Sequence, residues 1–395
     1  MIHRPTLLVT GDFGKTGGMD WANRAVAHYL ARQGTTVHLV AHQVSPDLTL
    51  YPTVHLHPAP KPANSYLLGS LWLDRVGRKW AQRVHSAGGR VIVNGGNCAW
   101  GDVNWVHYVH AAFQAERQSG TVQGMKTAIA HTTALQMERR AFGMAKQFIA
   151  NSDRTRSDLM YHYGIPSDRI HTVYCGIDPD EFYPASTRER DALRQELGWA
   201  TDRPIVAFVG ALGDRRKGFD LLFSAWQMLC ADPDWTANLV VVGDGAELAC
   251  WQHRAREAKL GDRIHFLGFR KDVPNLLRAA DCLVAPSRYE SYGLGVQEVL
   301  CCGLPAIVSV SAGIAERYPA DLHELLLLDP ENIPYLIATL RHWHSHQTYY
   351  QQQTQAFAHQ LRQYTWDDMA EALLTHLSNN QVESVQRQNA LASLS

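Results

Sequence analysis

Pro286-Ser-Arg-Tyr-Glu290-Ser-Tyr-Gly293-Leu-Gly-Val-Gln-Glu298 sets two carboxylates on either side of a glycine-bearing loop, with seven residues between them. An apolar run, Cys282-Leu-Val-Ala, precedes it, and a helix-like run from Gly295 to Cys302 follows. A strand that ends in such a loop and feeds a helix is one step of a parallel α/β sheet. Ligands of these sheets bind beyond the C-terminal ends of the strands. Placed there, two carboxylates can grip a polyhydroxyl ligand at two points while backbone N–H groups at the helix start face a phosphate.

The same alternation runs outward in both directions. Upstream, Ile205–Val209 reads as a strand, Gly218–Cys230 as a helix and Asn238–Val242 as a strand closed by Gly243-Asp-Gly245. Ala246–Lys259 is a helix, Ile264–Leu267 a strand and Val273–Ala280 a short helix; Ala306–Ser309 is a further strand. The first half opens strand, glycine loop, helix, strand: Thr6–Thr10, Gly11–Gly18, Trp21–Gln33 ended by Gly34, and Thr36–Ala41. Arg90–Asn94, Trp105–His110 and Gln147–Ser152 read as strands, with a helix over Arg154–Tyr163. The expected fold class is α/β, with two doubly wound Rossmann-like domains. The expected division is 1–185 for an N-terminal Rossmann-like domain and 186–365 for a C-terminal Rossmann-like domain. The polar, helical residues 185–203 read as the hinge. Residues 366–395 are expected to form a helix that crosses back to the first domain, followed by a polar tail.

Composition narrows the classes. The chain has 395 residues, 46% hydrophobic and 19% charged, which suits two globular domains and excludes a disordered chain. A net charge of −1 and a pI near 7.0 give no footprint of a nucleic-acid binder. The balance is uneven along the chain. Residues 1–175 hold 18 Lys/Arg and 10 Asp/Glu (18 − 10 = +8), and residues 176–395 hold 19 and 28 (19 − 28 = −9). The basic first half includes Arg75, Arg78, Lys79, Arg83, Lys126, Arg139, Arg140 and Lys146. It suits a solvated charged face, or an acidic partner such as a lipid phosphate, an anionic acceptor or a membrane surface. Seven cysteines without a C-x-x-C pair fit a reducing cytoplasm. The first residues hold too short an apolar run for a signal peptide. Leu294–Ala315 is poor in charge, but Glu298, Gly303 and Pro305 interrupt it, so a membrane span is not expected. The expected location is cytoplasmic, with peripheral association at the inner membrane face as an option.

Several smaller motifs carry chemistry. Gly210-Ala-Leu-Gly-Asp-Arg215-Arg216-Lys217-Gly218 follows a strand and opens a helix, so its cations and free N–H groups form an anion site. Gly14-Lys-Thr suggests a P-loop, but no glycine stands where that motif needs its first one, and Gly17-Gly18 follow where a helix should begin. A P-loop phosphotransferase is therefore the alternative enzyme class, and a non-catalytic sugar-nucleotide-binding protein the alternative without turnover. Asp178-Pro-Asp180 lies in a turn-rich stretch and reads as a turn rather than a metal site. His342, His344 and His346 lack joining carboxylate or thiolate ligands, so no metal is assigned. His107 and His110 end a strand, and either could line a ligand pocket.

These motifs, in this order, resemble the retaining glycosyltransferases of the GT-B class, in the large family four group (glycosyl transferases group 1). Glu290 to Glu298 resembles that family's E-x7-E signature, Gly210–Gly218 its basic phosphate loop, Gly243–Gly245 its G-x-G turn and Gly313-Ile-Ala-Glu316 its late Gly-x-x-Glu. Phe148–Ser152 and Val173–Pro184 resemble its interdomain passage. The resemblance implies transfer of a hexosyl group from a nucleoside-diphosphate sugar, held by the C-terminal domain, to an acceptor hydroxyl of a glycan, glycolipid or small molecule on the N-terminal side, with retention and without metal or other cofactor. It implies that Glu290 holds donor-sugar hydroxyls and that the backbone of Tyr292, Gly293 and Leu294 meets sugar and phosphate. Glu298 would bind the ribose, and Lys217 with Arg216 would neutralise the leaving diphosphate. His110 would stand near the reacting carbon, and Gly17 and Gly18 would admit the diphosphate or acceptor. The chain departs from the pattern at Ala211, where many relatives carry Arg, and at Tyr292, where Phe is common.

Overall fold

The computed structural model describes residues 4–14, 17–62, 65–113 and 122–377. The chain divides into two compact units. One takes the residues up to Gly176 together with those from Trp366; the other takes Ile177–Thr365.

The first unit runs β1 Thr6–Val9, β2 Asp12–Phe13, α1 Gly18–Arg32, β3 Val37–Ala41, β4 Gln43–Val44, β5 Val54–Pro58, α2 Tyr66–Ser86, β6 Arg90–Asn94, β7 Val103–Val106, α3 Val122–Met144, β8 Gln147–Ala150, α4 Asp153–Tyr163 and β9 Ile170–Thr172. A last helix, 366–377, also belongs to it. Seven parallel strands form the sheet, in the order β5-β3-β1-β6-β7-β8-β9. The order reverses between β1 and β6, so the loops after those strands flank the switch point where such sheets bind ligands. Apolar side chains of β1, β3 and β6 pack on α2 through Leu73, Ala81 and Val84. Helix α4 shows how local chemistry sets boundaries: the Ser152 hydroxyl accepts from the Thr155 N–H at 2.9 Å, and Gly164, at φ 63°, ends the helix.

The second unit runs α5 Thr187–Leu197, β10 Ile205–Val209, α6 Phe219–Cys230, β11 Asn238–Val242, α7 Leu248–Glu257, β12 Ile264–Gly268, α8 Val273–Ala279, β13 Cys282–Ala285, α9 Leu294–Cys301, β14 Ala306–Ser309, β15 Leu326–Leu327, α10 Ile333–Ser345 and α11 Gln347–Arg362. Its six parallel strands are ordered β12-β11-β10-β13-β14-β15. Here the reversal falls between β10 and β13. The loops after those two strands are the basic loop and the two-carboxylate loop.

Three expectations need adjustment. The strand expected over Trp105–His110 is Val103–Val106, and His110 opens a 3-10 turn instead. The stretch read as a hinge is largely helix α5, held to the second unit by Arg190 and Arg194, both paired with Asp281. Ile177–Pro184, expected with the first unit, is bound by the second: Ile177 pairs with Thr365, and Arg278 donates to the Glu181 carbonyl at 2.9 Å. The polar tail and the Lys15-Thr16 portion of the P-loop-like stretch lie outside the described residues.

Candidate active site

The second unit assembles its site from loops that only glycine allows to meet. A Cβ at Gly243 would lie 1.9 Å from the Gly210 carbonyl oxygen, and one at Gly245 1.8 Å from that of Leu212. The loops after β10 and β11 therefore interlock, with Gly210 N–H donating to Val242 at 3.0 Å and Leu212 N–H to Asp244 at 3.0 Å. Gly218 has φ 70°, and a Cβ there would sit 2.0 Å from the Pro286 carbonyl oxygen. This close approach brings the basic loop against the two-carboxylate loop.

Arg288 locks that approach. Its backbone N–H donates to the Arg216 carbonyl at 2.8 Å, and its guanidinium donates to the Arg215 carbonyl at 2.7 Å and to both carboxylate oxygens of Asp220 at 2.8 Å. These bonds hold the Asp220 carboxyl below its usual range, against its burial, and raise the Arg288 guanidinium above its own. Arg288 lies inside the quoted stretch, but its role depends on a carboxylate sixty-eight residues away.

The lock places Lys217 beside Glu290. The Lys217 ammonium donates to Glu290 Oε2 in a partly buried ion pair. The Glu290 backbone is fixed from the other side, by a bridge to Ala312 and by the Gly313 N–H, which donates to its carbonyl at 3.1 Å. Three residues on, Gly293 takes φ 103° and starts α9, whose first intrahelical bonds begin with Val296. The N–H groups of Leu294 and Gly295 thus stand at the positive end of a helix beside the ion pair. The Tyr292 side chain turns inward: its hydroxyl donates to Gln297 and accepts from Arg317 at 3.0 Å. Its backbone carbonyl accepts from the Ile314 N–H at 2.7 Å.

The three cations of the basic loop are each matched to a carboxylate. Arg215 pairs with Asp220 at 3.2 Å, Lys217 with Glu290, and Arg216 with Asp214, to which its Nε donates at 3.0 Å. Lys217 is matched to Glu290 of the two-carboxylate loop. Ala211 sits exposed in the same loop.

Glu298 follows one turn into α9 and differs in kind from Glu290. Although part of the residue reaches the surface, its carboxyl is sunk in protein, and burial, with the nearby Glu181 carboxylate, pushes it up to about 8. Among the described residues, no cation offsets that shift.

In the first unit the two histidines separate. His107 is buried against Trp105, with ring centroids 4.4 Å apart, and burial lowers it to about 3; it is a neutral core residue. His110 is 40% exposed at its side chain. Buried Glu138 takes both the backbone N–H of His110, at 3.1 Å to each oxygen, and its ring Nδ1, at 2.6 Å. The Tyr163 hydroxyl donates to the same carboxylate at 2.5 Å. Sequence reading missed Glu138, because a single Glu on a long helix carries no signal of a partner twenty-eight residues earlier. Gly17, at φ 98°, and Gly18 form the start of α1. Asp20, in its first turn, is raised to about 6 by burial and by Asp12. Asp178, in the D-x-D-like stretch, accepts from the N–H groups of Asp180 and Glu181 at 3.0 and 3.3 Å, the geometry of a side-chain turn.

Comparison with known proteins agrees with this architecture. Residues 189–360 match the family model for glycosyl transferases group 1, and residues 16–181 that for glycosyltransferase family 4. Mannosylfructose-phosphate synthase of Agrobacterium fabrum is 29% identical over 226 residues, 55% of this chain and 49% of that protein, so the chain spans about half its length. D-inositol 3-phosphate glycosyltransferase of Xylanimonas cellulosilytica is 27% identical over 352 residues, 80% of each chain. Among solved structures, WaaG, a glycosyltransferase involved in lipopolysaccharide biosynthesis, superposes with a TM-score of 0.74 at 20% identity, covering 94% of this chain and 99% of that one. Anabaena Alr3699/HepE in complex with UDP and glucose superposes with a TM-score of 0.67 at 18% identity, covering 95% of this chain and 99% of that one.

Proposed function

Because the chain is a GT-B protein of the glycosyl transferases group 1 family, we propose that it moves a hexosyl group from a nucleoside-diphosphate sugar to an acceptor hydroxyl, with retention and without a divalent metal. The observation that carries this reading is the Lys217–Glu290 pair at the sheet's reversal point, beside the free N–H groups of α9. A donor offers each partner a better match. Sugar hydroxyls can donate to the Glu290 carboxylate while the diphosphate draws the Lys217 ammonium. Breaking the sugar–phosphate bond builds negative charge on the diphosphate, so a fixed cation and helix N–H groups aimed there lower the barrier without a metal. Glu298, still holding its proton near neutral pH, can both donate to and accept from a ribose hydroxyl. Retention rests on the family resemblance.

A thermal-shift screen with UDP, GDP and ADP sugars tests donor binding, since a ligand at about 100 times its Kd adds ~2.7 kcal/mol. Transfer is then followed in excess chelator, and the anomeric configuration of the product is read by NMR. Stabilisation by no donor would overturn the reading. Donor binding without turnover would favour the non-catalytic alternative, a strict metal requirement would remove metal independence, and an inverted product would remove retention.

A second observation bears on the acceptor. Helix α2 exposes Leu68, Leu71 and Trp72, followed by exposed Arg75, Arg78, Lys79 and Arg83, while its acidic residue, Asp74, is buried. Apolar side chains beside cations on one helix surface suit the interface of an anionic bilayer. None of the helices among the described residues is long and apolar enough to cross a membrane. We propose peripheral docking through α2 and a lipid-linked or membrane-presented acceptor. Flotation with anionic vesicles should carry the protein upward at low salt, and Trp72→Ala with Leu71→Ala should weaken this about tenfold. Equal flotation with neutral vesicles, or none with anionic ones, would overturn it.

A further inference from the structure

We propose that the second unit carries a saccharide-binding pocket at the end of its sheet opposite the candidate active site, where glutamine amides take the hydroxyls of one neutral sugar residue. The inference stands apart from the transfer reading, because the residues that line the pocket lie outside both the basic loop and the two-carboxylate loop.

Asp281 and Pro305 line the pocket and immediately precede β13 and β14, so it opens at the N-terminal ends of these strands. The two-carboxylate loop leaves the other end of β13, a four-residue strand that spans about 13 Å. The cavity measures about 470 Å³, counting space open to solvent, which is the size of a small-ligand site. Pro184, Leu304 and Pro305 supply an apolar wall that suits the C–H face of a sugar ring. Gly303 closes that wall: a Cβ there would lie 3.2 Å from Pro184 Cβ and 3.5 Å from Gln355 Cγ, so its turn packs directly against both residues.

The charged groups of the pocket already have partners within the protein. The Asp281 carboxylate accepts from Arg190, from Arg194 and from the Ile205 N–H at 2.6 Å. The Arg278 guanidinium lies 4.4 Å from the Tyr183 ring centroid, donates to the Glu181 carbonyl at 2.9 Å and stands 3.6 Å from Glu189. An entering anion would have to displace these partners and approach Asp281 as well, so the site disfavours phosphates and carboxylates. The groups left open are neutral. Gln347, Gln351 and Gln355 recur every fourth residue on α11 and therefore share one face of it. Gln347 donates its amide to the His344 carbonyl at 3.0 Å and keeps its amide oxygen. The exposed side chains of Gln351 and Gln355 have no hydrogen-bond partner among the described residues. An amide donates and accepts without carrying charge, which matches a hydroxyl that does the same.

The test uses the full chain labelled with ¹⁵N-glutamine, with the side-chain amides of Gln347, Gln351 and Gln355 assigned by difference against the single alanine variants. Glucose, mannose and maltose are titrated separately, with inorganic phosphate as the anionic probe. At least one sugar should shift all three amides saturably, and phosphate should shift none. Gln351→Ala with Gln355→Ala, read at the Gln347 amide, should weaken binding about tenfold, the effect of losing two hydrogen bonds of modest strength. Lys217→Ala, at the candidate active site, should leave the shifts as in wild type. Shifts with none of the three sugars, or with phosphate alone, would overturn the proposal, as would undiminished binding in the double variant. Loss of the shifts in Lys217→Ala would place the sugar at the candidate active site and overturn it too. A chain that shows these shifts yet binds no nucleotide sugar would lose the transfer reading and keep the pocket.

Discussion

Glu290 and Glu298 share one loop-and-helix segment and face opposite electrostatics. Glu290 has a cation within bonding reach and a backbone fixed by the loop after β14. Glu298 has burial and a like charge from Glu181, and its carboxyl rises to about 8. One carboxylate is ion-paired with Lys217; the other is pushed up by burial and by Glu181. Two residues of identical chemistry thus stand in different electrostatic settings, and the difference comes from what the fold packs around each.

The comparison can be broken most directly at Lys217. Lys217→Ala removes the cation paired with Glu290, which the proposed mechanism sets against the leaving diphosphate. kcat should fall about 10²- to 10³-fold, in the range of other lost transition-state donors, with little change in Tm. Turnover near wild type would dissolve the distinction between the two carboxylates. A smaller effect is expected at Glu298. In the unfolded chain this carboxyl loses its proton near 4.5, and in the folded chain near 8. Between those values the folded state holds the extra proton, so stability falls as pH rises and levels off above 8. Glu298→Gln carries no such charge. Its Tm should match wild type near pH 4 and exceed it by a few degrees above pH 8, where ~1 kcal/mol corresponds to about 2–4 °C for a unit of this size. A Tm difference that does not vary with pH would show that Glu298 is an ordinary anion after all. The smallest effect should come from Arg216→Ala. Asp214 already holds that guanidinium, and a paired surface cation contributes about 0–1 kcal/mol. A loss as large as that of Lys217→Ala would mean that Arg216 leaves Asp214 for the donor.

Much of this was readable in the chain. Alternating apolar runs and glycine loops marked both parallel sheets, because strand and helix periods and the glycine requirement at tight approaches are local properties. The cations of the loop after β10 and the carboxylates of the loop after β13 were recognisable as polar groups at strand ends before their contact was visible. What was not readable is which side chains meet across loops. The strand expected to continue to His110 stops at Val106, and a buried carboxylate on α3 takes over the backbone N–H of His110. The stretch read as a hinge folds onto the second unit, because Asp281 recruits Arg190 and Arg194. Neither partner lies within a helix turn or a strand pair of the residue it controls.

The sequence by itself determined the α/β class, the positions of the glycines that let the loops approach, and the identity of Lys217, Glu290 and Glu298 as polar groups at strand ends. The tertiary structure alone decided that Lys217 meets Glu290, that Arg288 ties their loops together, that burial raises the Glu298 carboxyl, and that His110 rather than His107 is exposed and held by Glu138. The reason is physical. Backbone pattern follows from steric rules acting over a few residues, whereas charge state and hydrogen-bond partnership depend on desolvation and on groups that only the folded topology brings within about 3 Å.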